Sequence, residues 1–230
     1  MKTKWLLLPL WLGVVAPSTT LAQPGWPGEP PNPYSYTVTL PPQWSLIGNQ
    51  LDFHRDSTVS NTLANILPSV PEGTVLLKFD NATKRFVRNQ FHRGRWSQPG
   101  QTLGAWDGAA FFNPTRRALT LTFHGNPRYG GQLDLSAGLS LMSCPTVGCP
   151  PAFFDPVQPV GPPGPVPGLL QFNPQAGDIV WTLHCATGAL TVHTFRDGDW
   201  DVKPVLRTGE AFLAHLQQPR TLSFSYSPPI

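Results

Sequence analysis

The sequence predicts an all-β protein: two tandem antiparallel β-rich repeats, sandwich- or barrel-like, with one short helical turn and a Pro/Gly-rich loop. Three observations carry this expectation. Short runs of β-branched, aromatic and aliphatic residues recur between turn signals along most of the chain. Only one segment has helical spacing. The second half of the chain repeats the pattern of the first.

The strand runs of the first half are 36–40, 44–49, 74–79, 85–91, 109–113 and 118–124. Those of the second half are 139–144, 179–184, 189–196, 211–215 and 221–226. Many alternate. Leu119, Leu121 and Phe123 fall on one face of a strand, and Thr120 and Thr122 on the other. Leu222, Phe224 and Tyr226 alternate in the same way with Thr221, Ser223 and Ser225. One buried and one wet face is the pattern of antiparallel sheets. The helical segment is 61–67, where Leu63, Ile66 and Leu67 are correctly spaced and Pro68 stops the turn. Residues 156–168 (PVQPVGPPGPVPG) predict a surface loop, because proline lacks the donor that both ladders need.

The chain opens on an expected secretory leader, residues 1–22. Lys2 and Lys4 precede an apolar run over 5–15, and Thr20-Leu21-Ala22 ends in the small residues of a cleavage site. Export to the periplasm, cell surface or extracellular space follows. The apolar run is too short to span a bilayer comfortably, so no membrane span is expected after processing. A Pro/Gly-rich arm covers 23–34, the first repeat 35–127 and the second 128–230.

Lys2 and Lys4 account for two of the three formal positive charges. The remaining body is near neutral and has no basic run, which argues against nucleic acid as a partner. Charged residues make up 13% and hydrophobic residues 40% of the chain, too few and too many respectively for intrinsic disorder.

The repeats align without gaps over 73–96 and 177–200. Gly73, Ala82, Thr83, Phe91, Gly94 and Trp96 recur as Gly177, Ala186, Thr187, Phe195, Gly198 and Trp200. A second block aligns 108–123 with 209–224, matching Gly108 to Gly209 and Phe123 to Phe224. The repeated Phe-x-x-Gly-x-Trp predicts a strand end, a glycine turn and a tryptophan on the return. Upstream, Trp44-Ser45-Leu46-Ile47 faces Leu139-Ser140-Leu141-Met142. With "GAAFFNPTRRALTLTF" and "TGEAFLAHL", these segments resemble a group of exported, tandem-duplicated, β-rich bacterial proteins without an established activity. The resemblance spans roughly 40–226. It implies a scaffold and no catalytic residue.

Motifs of catalysis are sparse. No nucleophile elbow, zinc-protease helix or phosphate-cradling glycine loop occurs. Asp107 and Glu210 precede matching Phe-rich strands and are the best acids for a hydrolase. The simpler expectation is that each bonds backbone donors at a strand start. Asp197, Asp199 and Asp201 alternate as in the opening of a calcium loop, but position six is Val202 and position twelve Thr208. They form a weak metal candidate beside the simpler reading of a solvated turn, and no cofactor is predicted.

Trp96, Trp106 and Trp200 lie near turns and are the candidates for stacking sugar rings. The competing role is to cap sheet ends. Arg93 and Arg95 stand where the second repeat has Asp197 and Asp199. That sign inversion suggests self-association through the turns. Three cysteines allow one bridge. Cys144–Cys149 closes a short loop easily, and Cys144–Cys185 competes because both residues end strand-like segments. The expected function is a secreted, non-catalytic binding or surface-structural protein, contacting carbohydrate or a cell-surface component through exposed tryptophan. The alternative is a polysaccharide hydrolase.

Overall fold

The structure, a computed structural model, describes residues 34–53, 61–128, 130–156, 171–184 and 187–225. The leader, most of the arm, nearly all of the Pro-rich loop and Cys185 lie outside them. The described chain is all-β. Its strands are β1 Tyr34–Leu40, β2 Gln43–Gly48, β3 Leu51–Asp52, β4 Val75–Asp80, β5 Arg85–His92, β6 Arg95–Trp96, β7 Gly108–Asn113 and β8 Leu119–Pro127, then β9 Gly130–Leu135, β10 Gly138–Ser143, β11 Ile179–His184, β12 Ala189–Arg196, β13 Asp199–Trp200, β14 Ala211–Leu216 and β15 Arg220–Ser225. Helix α1, Leu63–Ile66, is one turn that buries Leu63 and Ile66.

Two five-stranded antiparallel sheets form the body, in the orders β2-β7-β4-β5-β6 and β10-β14-β11-β12-β13. Smaller sheets flank them, β1-β8-β3 and β15-β9. Strand β9 has no counterpart among the sequence-predicted runs. Its Gly130-Gly131 start dilutes the alternation, and pairing with β15 supplies the order that propensity does not.

The five-stranded sheets face one another through Leu46, Phe79, Leu141 and Ala211. Behind the first lies a core that includes Leu40, Ile47, Leu63, Leu76, Phe111 and Phe123. Behind the second lies an aromatic core of Phe153, Phe154, Phe172, Phe195, Phe212 and Trp200. Burying such rings stabilises the fold by roughly 2–3 kcal/mol each.

The matching of the halves extends to individual bonds. Phe91 pairs with Trp96, and Phe195 with Trp200. Both tryptophans meet their phenylalanine edge-on, at 5.5 and 5.3 Å between ring centres. The turns between them, Arg93-Gly94 and Asp197-Gly198, hold positive φ at both residues, the two-residue turn that suits the twist of a hairpin. Strands β7 and β14 share one burial pattern.

One detail of the sequence alignment is corrected. Gly108 begins β7 opposite Gly48, whereas Ala211 begins β14 opposite Ser143. Gly108 therefore corresponds to Ala211 in the fold, not to Gly209. A shift of two residues keeps every side chain on its own face, so alternation alone does not detect it. The connection 217–219 is two residues shorter than 114–118, which returns β15 to the sequence alignment with β8.

Candidate functional site

An open groove of about 1100 Å³ runs between the first five-stranded sheet and the β9–β10 turn. Strand β4 carries Lys78 and Phe79 into it and ends at Asp80. The loop after β6 contributes Gln98, Gln101, Thr102 and Asp107. Leu133, Asp134 and Ser136 close the far wall.

Lys78 is the cation of the groove. Its Nζ lies 2.6 Å from Asp107 Oδ2 and donates to the Thr102 carbonyl at 2.9 Å. The same Asp107 oxygen accepts the Gly104 amide at 2.8 Å. Asp80 receives the Thr83 hydroxyl and the amides of Thr83 and Ala82, which hold its carboxyl below the ordinary range. Asp134 is depressed by the Thr221 hydroxyl, then by Gln132. Asn81 fastens the groove's edge to the other half: its amide donates to the Leu141 carbonyl and its oxygen accepts the Leu141 amide.

The second half builds the same loop differently. Glu210 Oε2 accepts the Arg207 amide at 2.9 Å, as Asp107 accepts Gly104. Asp107 bridges to Met142, and Glu210 bridges to Ile47. Thr182, at the place of Lys78, instead bonds the buried His193 at 2.9 Å. The cation of the groove thus comes from the first half, while Leu133, Asp134 and Ser136 close it from the second.

The candidate tryptophans are not a sugar-stacking surface. Trp96, Trp106 and Trp200 are 2%, 7% and 7% exposed. Trp96 donates its indole N–H to the Leu67 carbonyl at 2.8 Å, and Trp200 to that of Phe154 at 2.7 Å. Each ring is a lid over its own core. The sequence places a tryptophan after a turn but does not say which side of the sheet it enters. Among the described tryptophans Trp44 is the exposed one, at 43%, tilted against Phe112.

Asp197, Asp199 and Asp201 do not assemble a metal site. Asp199 accepts the Trp200 amide, and Asp201 accepts those of Thr194 and Val202. One oxygen of Asp199 and one of Asp201 are thus bound to backbone amides. Among the described residues no group of three metal-binding side chains forms. Arg93, Arg95, Asp197 and Asp199 are all exposed and enter no ion pair among the described residues.

Cys144 is buried and Cys149 half-buried, both as thiols. The Cys149 thiol is pushed up by the neighbouring Cys144 sulfur and by burial. Among the described residues no helix is long and apolar enough to cross a membrane. No family model, curated protein or solved structure matches the chain.

Proposed function

We propose that this is an exported, non-catalytic binding protein whose ligand lies in the Lys78–Asp107 groove. Residues 1–22 would be its leader. The ligand class that fits is a hydroxyl-rich one, a polysaccharide or a cell-surface glycan. The observation that carries this reading is the lining: amides of Gln98 and Gln101, carboxylates of Asp80 and Asp134, and apolar Phe79 and Leu133 share one open groove. Apolar walls interrupted by several fixed polar groups suit a ligand whose ring faces pack and whose hydroxyls are oriented. This replaces the tryptophans as the point of contact.

The hydrolase alternative is disfavoured. Asp107 is committed to Lys78 and the Gly104 amide, and Glu210, 5% exposed, to the Arg207 amide. We further infer that the two halves are copies of one strand unit, supported by the shared strand order, turn φ values and indole bonds.

The test is a glycan array on the mature protein, followed by calorimetry with Gln98→Ala and Asp134→Ala. Binding that both substitutions weaken, with the circular dichroism of the fold retained, supports the groove. No glycan bound, or binding indifferent to both substitutions, overturns it.

A further inference from the structure

The five-stranded sheets end on unlike edges. On β5, the short strand β6 covers only Phe91 and His92. Ser97 and Gln98 take the next outward groups, at Gln90 and the Arg88 carbonyl. Alternate residues of an antiparallel strand point their N–H and C=O to the same neighbour, so Phe86 also faces outward. On β12, Asp201 occupies the outward groups of Thr194, which leaves Leu190 and Val192 facing outward. Neither stretch has a further strand beside it among the described residues.

These edges are apolar where proteins usually place blocking charges. Phe86 is 50% exposed, Leu190 61% and Val192 49%. Their flanks carry opposite charge. Arg85 and Arg88 are exposed along β5, whereas Asp197, Asp199 and Asp201 are exposed beyond the end of β12 and outnumber the exposed cation of that strand, Arg196, which pairs in register with Asp199.

We propose that a second copy of this chain docks here, the β5 edge of one copy pairing with the β12 edge of the next. The orientation follows from the short strands. A parallel pairing would drive β6 of one copy into the place held by β12 of the other. An antiparallel pairing sets β6 beyond the start of β12 and β13 beyond the start of β5. It opposes Phe86 to Val192 and brings Arg85 alongside Asp201 and Asp199. The turn arginines Arg93 and Arg95 then lie away from the acidic flank. Each copy owns one edge of each kind, so the contact is head-to-tail and extends into a series. Backbone pairing supplies the adhesion, and the charges select the edge.

Sedimentation velocity at low and high salt tests this. The mature protein is expected to form concentration-dependent oligomers that shrink with salt. Arg85→Glu alone and Asp199→Arg alone should each lose them, and the two combined in one chain should restore them. The fold already accepts arginine at the matching turn position, Arg95, so Asp199→Arg keeps the hairpin. Val192→Pro, which removes an outward N–H, should abolish assembly in every background. A wild-type protein that stays monomeric at every concentration and salt overturns the proposal. So does assembly that survives Val192→Pro, or single charge reversals that leave sedimentation unchanged.

Discussion

Trp200 hands its indole N–H to the Phe154 carbonyl at 2.7 Å, forty-six residues upstream in the chain. The bond ties the hairpin that ends at β13 to the 3-10 turn Pro151–Phe154, and the ring closes the aromatic core beneath. Trp96 does the same to Leu67, just past α1. Both rings act as latches between a sheet edge and a helical turn.

Trp200→Phe keeps most of the apolar contact but leaves the Phe154 carbonyl without its donor. It should cost about 1–3 kcal/mol, the usual penalty for an orphaned buried group. Trp200→Ala should cost about 3–5 kcal/mol. Urea unfolding followed by far-ultraviolet circular dichroism reads both. The same ordering is expected at Trp96, and equal losses for Phe and Ala would deny the hydrogen bond any role.

Gly108 sits where the halves touch. A Cβ there would stand 2.8 Å from the Met142 amide nitrogen and 2.9 Å from its carbonyl oxygen, backbone atoms that cannot rotate aside. Gly108→Ala should therefore destabilise by about 1–3 kcal/mol through overpacking. Gly100→Ala, which meets nothing within 4 Å, serves as the control. Thermal midpoints that fall equally for both variants would contradict the close approach.

Acid should weaken the fold in a defined direction. Glu72 is held below its ordinary range first by the Arg93 amide, Asp80 by the Thr83 hydroxyl, Asp134 by the Thr221 hydroxyl and Asp201 by the Thr194 amide. Depressed carboxylates stabilise the native state fully above their unfolded values, near 4, and lose that contribution as the pH falls through the lower folded values. Stability between pH 5 and 7 should show no loss from these groups, with decline beginning below about 4. Asp80→Asn should flatten part of that decline, and an unchanged acid limb would remove Asp80 from it.

Under oxidising conditions the sulfurs of Cys144 and Cys149 are expected to join, since the two thiols flank one four-residue loop and perturb each other's titration. Peptide mapping of the alkylated, non-reduced protein should find that bridge and a labelled Cys185. A peptide linking Cys185 to either partner would reverse the assignment.

Much of the scaffold was legible in local pattern. The alternation of Leu119, Leu121 and Phe123 and the helical spacing of Leu63 and Ile66 reflect the geometry of single elements, which a chain writes residue by residue. Gly94 and Asp197-Gly198 announced their turns because only a few residue types tolerate positive φ, whereas Arg93 adopts it without such a signal. The groove was not legible. Lys78, Gln98, Asp107 and Asp134 come from separate segments, and no short spacing links them.

By itself, then, the order of residues determined most of the strands and the glycine turns. Those depend on backbone sterics and on the period of two, both local. Only the folded arrangement decided that Trp96 and Trp200 face inward, that Asp107 meets Lys78 and that Phe86, Leu190 and Val192 remain on open edges. Burial and ion pairing are set by which surfaces meet across the sheets, and that depends on the whole chain packing at once.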